Sequence, residues 1–152
     1  GTHGIQAADL LGRKVRMQDG AGLQLLAATI NATIERALQV PQLAGYANQL
    51  AQALQDVGAA TKAAWATANP QEALANAVPY MQAFGHTVLA WMWLDVALAV
   101  LARDAALSAP AHAGQMGAAR YFFHYELPRI GAWLQVVRQR DMTCAELPED
   151  AF

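Results

Sequence analysis

The sequence is short of cysteine and of charge. Cys144 is its one cysteine in 152 residues, so no internal disulfide can form and a reducing, cytoplasmic setting is the expectation. Charged residues make up 14% of the chain, against 55% hydrophobic. That is little charge for a small helical domain, so either the core is large or a partner covers part of the surface. Neither sign dominates: the net charge is −2 and the pI is near 6.0. No general field therefore draws in nucleic acid or an acidic membrane. Long apolar runs are missing too. The most apolar stretch, Val88 to Ala102, falls short of the roughly 20 residues a membrane span needs and contains Asp95. It reads as a buried helix. No apolar leader segment opens the chain, so no secretory signal is expected. Strand-like alternation persists nowhere, and there is no internal repeat.

What is present is helical periodicity. Ile5 to Leu11 reads as a short helix stopped at Gly12. Asp19 is the expected N-cap of a helix from Gly20 to Leu38, with Leu23, Leu26, Ile30 and Ala37 on its apolar side. Pro41 suits the first position of the next helix. That helix carries Leu43, Ala47, Leu50, Leu54, Val57, Thr61 and Ala64 at alternating spacings of four and three, which keeps one seam on one face. "NPQE", Asn69 to Glu72, is a start signal with a cap, a proline at the first position and a returning carboxylate. The helix it opens is expected to run to Leu107, kinked at Pro79. Two apolar faces are read on it: Leu74, Val78, Met81, Val88 and Met92 on one, Phe84, Trp91, Leu94, Leu98 and Leu101 on the other. A helix apolar on both sides is central or lies at an interface. Ser108 to Gly114 reads as a turn. A last helix, Gln115 to Gln139, is expected to bend at Pro128. The expected fold is all-α: an antiparallel four-helix bundle (17–140) with a short N-terminal helical segment (1–16) and a tail (141–152) packed through Phe152.

Little in the bundle carries chemistry. A carboxylate-bridged metal needs inward Glu-x-x-His pairs, and none exists, so no metal is expected. His124 and Glu126, two apart, leave a helix in different directions. His86 and Asp95 are the polar exceptions on the apolar helix; nine residues apart, they cannot touch, and hydrogen-bonded core or interface groups are the expectation. Cys144 has Asp141, Glu146 and Glu149 near it in sequence, which disfavours a reactive thiolate. The aromatic residues Trp91, Trp93, Tyr121, Phe122 and Phe123 sit at helical spacing without basic neighbours, so they read as core and not as a stacking platform.

The opening "GTHGIQAADLLGRKVR" differs from the rest. It is glycine-punctuated, polar and basic, and Ile5, Leu10 and Leu11 are the large apolar side chains available to anchor it. Gly1 and Gly4 permit positive φ and close approach of a ligand, Thr2 offers a hydroxyl, and successive amides entering a helix suit an anion. Arg13, Lys14 and Arg16 add positive charge. The run resembles the segment Y-E-G-T-N-G-I-Q-x-x-D-L-x-G-R-K of acyl-CoA dehydrogenases. Gly1, Thr2, Gly4, Ile5, Gln6, Asp9, Leu10, Gly12, Arg13 and Lys14 match it. "MQAFGHTVLAWMW" and "ARYFFHYELP" resemble the extra helical C-terminal domain of a longer bacterial branch, the one that includes 3-(methylthio)propanoyl-CoA dehydrogenase.

The resemblance implies a fragment of a flavoenzyme. The family's Tyr-Glu stands immediately before the position of Gly1, and its Glu is the base that removes the α-proton of an acyl-CoA thioester while the β-hydride passes to FAD. By motif position Gly1 would lie beside the substrate thioester, and Thr2, His3 and Gly4 against FAD. His3 departs from the Asn or Ser of the family pattern. The implied partners are the upstream domains of the same enzyme, acyl-CoA and further copies of the chain; no catalytic residue and no bound cofactor are expected in this chain alone. The competing reading is a stand-alone helical interaction or dimerisation module without cofactor.

Overall fold

The computed structural model describes residues 2–102 and 108–151. It is an all-α bundle. Helix α1 spans His3–Gly12, α2 Ala21–Leu38, α3 Ala44–Ala64, α4 Pro70–Leu74, α5 Ala77–Ala102, α6 Ala109–Tyr121, α7 Ile130–Gln139 and α8 Thr143–Glu146. Four long units form the bundle: α2, α3, α5 and the composite of α6 and α7. Thr33 and Arg36 of α2 meet Trp91 and Asp95 of α5, so these two run parallel. Tyr46 and Asp56 of α3 meet Phe123 and Arg138 of the composite, so that pair runs parallel as well. Thr61 of α3 meets Tyr80 at the start of α5, and the Val40 end of α2 lies near Leu98, so α3 and α5 oppose each other. The core lies between α3, α5 and α7, with Leu43, Leu50, Tyr80, Leu94, Phe123 and Leu134 fully buried.

The α3 seam follows the predicted spacing at Leu43, Ala47, Leu50, Val57 and Ala64, but Ala53 and Ala60 are buried in place of Leu54 and Thr61, which are only half-buried. Asn69 caps α4 through its side chain, which accepts the Gln71 N–H at 3.0 Å. Glu72 returns to the Asn69 carboxamide and to Thr67 rather than to the cap's own N–H.

Several boundaries differ from the sequence expectation. Asp19 does not cap α2. Gln18, Asp19 and Gly20 all take left-handed backbone, and Gly20 (φ 84°) is the N-cap residue, without a side-chain bond. Pro41 lies in the turn before α3, not at its first position. Pro79 does not kink a long helix, because the chain has already broken at Ala75 and Asn76. A new helix begins at Ala77, and Pro79 stands in its first turn, where an N–H has no intrahelical partner to lose. Residues 109–114 are not a turn. They are the first turns of α6, with Ser108 as N-cap residue and a proline just inside. The expected end at Leu107 and the packing of Phe152 lie outside the described residues.

Helix α5 is central, packed by α1, α2, α3, α6 and α7. Its buried stripe, however, shares only Leu94 with the two faces read from the sequence. The residues turned fully inward are Ala77, Tyr80, Ala83, Thr87, Ala90, Leu94, Ala97 and Val100. Small side chains let the neighbours approach closely, and the large ones flank them. Met92, placed on a core face by the sequence, is 54% exposed. By length and composition α5 could cross a membrane.

Pro128 interrupts the last helix as expected, but the interruption is a change of helix type. Residues Phe122–Glu126 form a π turn in which the Leu127 N–H reaches back five residues to the Phe122 carbonyl. A 3-10 turn, Leu127–Arg129, follows before α7. Proline has no N–H to give, so its neighbours shift their acceptors, one outward and one inward.

Candidate functional site

The N-terminal segment is docked, and its docking face was not visible as a run of large residues. Ala7, Leu11 and Val15 are buried, while Ile5 is 72% exposed. The C-terminal end of α1 is fixed at three points. Trp65, just past α3, donates its indole N–H to the Leu11 carbonyl at 3.1 Å. Arg16 lies over the same indole, 3.9 Å from its centroid. A Cβ at Gly12 would stand 3.4 Å from the Leu74 side chain of α4. The motif's Gly12 thus fits the close passage of α1 over α4.

The N-terminal end of α1 is free. Thr2 is the N-cap residue; its carbonyl accepts the Gln6 N–H at 2.8 Å, and its hydroxyl makes no capping bond. Thr2, His3 and Gly4 are all exposed. The first-turn N–H groups of a helix have no intrahelical acceptor, so this end presents donors outward. Gly4 does not need positive φ, contrary to the sequence expectation: it is helical, and a Cβ there would meet nothing within 4 Å. Gly1 lies outside the described residues.

The charges of the motif sit further along, towards and just past the C-terminal end of α1. Arg13 donates to both carboxylate oxygens of Asp9, at 2.6 and 2.9 Å. These hydrogen bonds, with the positive charges of Arg13 and Lys14, hold the Asp9 carboxyl below its ordinary range against the opposing effect of burial. The same bonds push the Arg13 guanidinium up. The pair stiffens α1 at i,i+4 spacing and leaves Lys14 to face solvent.

The other singled-out polar residues are structural. His86 and Asp95 do not pair. His86 Nε2 lies 3.4 Å from the Glu126 carboxylate and Nδ1 3.1 Å from the Gln82 carbonyl, with Trp133 edge-on to the ring. Asp95 accepts from Arg36 at 2.6 Å. Each ties α5 to a neighbour. Cys144 is exposed. Among the described residues no three His, Cys, Asp or Glu side chains are grouped to hold a metal. An open groove of about 450 Å³ lies between α3 and the π turn, lined by Gln49, Gln52 and Asp56 on one side and Phe123, His124 and Leu127 on the other. It was missed in the sequence because a π turn shifts the register of every later side chain, and Pro128 was its one signal.

Residues 26–148 match the family model of acetyl-CoA dehydrogenase C-terminal-like domains. The match begins after the N-terminal motif, so the two observations are independent. No curated protein matches the chain.

Proposed function

Since this chain belongs to the acetyl-CoA dehydrogenase C-terminal-like family, we propose that it is the helical C-terminal portion of a flavin-dependent acyl-CoA dehydrogenase of the longer bacterial branch. In this reading the parent enzyme oxidises an acyl-CoA to the 2,3-enoyl thioester in the cytoplasm. The observation that carries it is the motif from Gly1 to Lys14, whose residues His3–Gly12 form a helix anchored at its far end and exposed at its near end. By motif position Gly1 would lie beside the thioester, and Thr2, His3 and Gly4 along one edge of FAD.

The residues present fit that edge. The Thr2 hydroxyl is uncommitted, the His3 ring is exposed, first-turn N–H groups point outward and Gly4 has open space where a Cβ would be. FAD, when bound, supplies the hydride acceptor. The part of this chain is to hold that edge in place: Trp65, Arg16 and the Asp9–Arg13 pair keep α1 from pivoting. The base that takes the α-proton is the Glu expected before Gly1. The remaining helices form a scaffold that joins the upstream domains and further copies of the chain.

By itself the chain offers too few contacts to retain the cofactor. Each net hydrogen bond contributes about 0.5–1.5 kcal/mol, whereas micromolar binding needs about 8 kcal/mol after association entropy is met. The test titrates the 152-residue chain with FAD and, in parallel, purifies the longer polypeptide and assays dye reduction by acyl-CoAs. The expected outcome is unchanged flavin fluorescence for the short chain and a yellow, active long one, weakened in FAD affinity by Thr2→Val. A colourless long polypeptide would overturn the assignment.

A further inference from the structure

We propose that His86 is a proton-operated latch on the π turn: with both ring nitrogens protonated it ties Glu126 to α5, and on losing one proton it lets that end of the turn go. The inference stands apart from the dehydrogenase reading, and its test involves no flavin.

Both nitrogens of the His86 ring face acceptors. Nδ1 lies 3.1 Å from the Gln82 carbonyl, one turn back on α5, and Nε2 lies 3.4 Å from the Glu126 carboxylate. Neither a carbonyl nor a carboxylate can donate, and a neutral imidazole has one N–H to give. One of the two contacts therefore sets lone pair against lone pair until a second proton arrives. The imidazolium donates to both. The side chains of His86 and Glu126 are 22% and 20% exposed, and Phe122 and Trp133 flank the ring, so water only partly relieves the unmet contact.

Glu126 is held loosely enough to respond. Its other oxygen, Oε1, accepts from the Tyr121 hydroxyl and from Arg129, each at 3.3 Å. All three contacts are longer than the roughly 2.7–2.9 Å of a charge-assisted N–H bond. A proton on Nε2 draws the carboxylate to α5. The other charged groups around α5 are engaged or turned outward. Asp95 pairs with Arg36 of α2, Asp56 of α3 with Arg138 of α7, Glu72 of α4 with Arg140, and Asp9 of α1 with Arg13. Tyr80 bonds Thr61. Glu35 of α2, Lys62 of α3 and Arg120 of α6 are exposed. His112 of α6 stands nine residues before Tyr121, about 13 Å along the helix. His124, exposed on the π turn itself, lies edge-on to Tyr46. Glu126 closes the turn, and the next N–H, of Leu127, makes the bond back to the Phe122 carbonyl. Phe123, His124 and Leu127 form one wall of the groove beside α3. The latch thus sets how firmly that wall is held: tightly in acid, and loosely as pH rises from about 5 to about 8, the span in which imidazole changes charge.

The experiment is amide exchange by NMR on the full 152-residue chain. Rates are converted to protection factors, which removes the intrinsic pH dependence of exchange, and the Leu50 amide of α3 serves as reference. Relative to Leu50, the Leu127 amide should be protected roughly tenfold more at about pH 5.5 than at about pH 8, the worth of one hydrogen bond to a charged group. His86→Gln should abolish that ratio. Glu126→Gln should abolish it differently: the carboxamide can donate to the bare ring nitrogen, so Leu127 stays protected at both pH values. His124→Gln should leave the ratio as it is. Should His86→Gln fail to fold, Glu126→Gln carries the test. Equal relative protection at the two pH values overturns the proposal. So does a ratio that survives Glu126→Gln, or one that disappears with His124→Gln.

Discussion

Phe123 is where the core is most exposed to a single change. Its ring is fully buried and stacks on Tyr46, with centroids 4.6 Å apart. Phe123→Ala removes a large side chain that rigid neighbours cannot replace, and urea unfolding should report a loss of about 3–5 kcal/mol. Leu25 on α2 is equally apolar but 71% exposed, so Leu25→Ala should stay within about 0.5 kcal/mol. Tyr80 gives a second residue-scale prediction. Its hydroxyl, 2.7 Å from the Thr61 hydroxyl, is fully buried, and burial pushes the phenol up to about 12 although the bond to Thr61 pulls the other way. A phenol whose folded value is raised favours the fold below the unfolded value of about 10. That contribution is lost as pH rises from about 10 through about 12, amounting to about 2–3 kcal/mol. The alkaline limb of thermal unfolding should therefore be steep, and Tyr80→Phe should flatten it. An unchanged limb would mean that the phenol reaches water.

At the scale of elements, α5 depends on smallness where the sequence offers bulk. Ala83, Ala90 and Ala97 are buried, and helices on several sides close over them. Ala90→Leu should destabilise by at least about 1–3 kcal/mol through overpacking, although the substitution raises hydrophobicity and keeps helix propensity. A neutral or stabilising result, read by chemical denaturation, would show slack at this contact. The π turn is the other element-scale feature. It turns His124 into the groove beside α3 while Phe122 and Phe123 remain buried, and it places Glu126 opposite His86.

For the whole molecule, the consequence is a division between an anchored body and one open edge. Trp65 and Arg16 tie α1 to the end of α3, and the outward end of α1 carries Thr2, His3 and Gly4. Trp65→Ala deletes both the bond to Leu11 and the surface under Arg16. In the longer polypeptide it should lower FAD affinity without touching any residue at the cofactor's edge, and in the short chain it should raise amide exchange in residues 3–16 selectively. Exchange that rises evenly through the bundle would assign Trp65 to general stability instead.

The sequence by itself determined the helical class, most of the α3 seam, the cap at Asn69 and the N-terminal motif. Each is local: periodicity, capping and contiguous residue identity are carried by neighbours in the chain. Tertiary structure decided the rest. Both sides of α5 are apolar, so periodicity could not choose its buried face; the choice fell to side-chain size, because five helices must crowd around one. The docking face of α1 was only partly legible: Leu11 is a large residue and is fully buried, but Ala7 and Val15 beside it are small, and Ile5, as apolar as Leu11, stays exposed. The partners of His86 and Asp95 lie 40 and 59 residues away in the chain. Only the packed bundle brings Glu126 within reach of the half-buried His86 and Arg36 within reach of Asp95, which is exposed and not a core group.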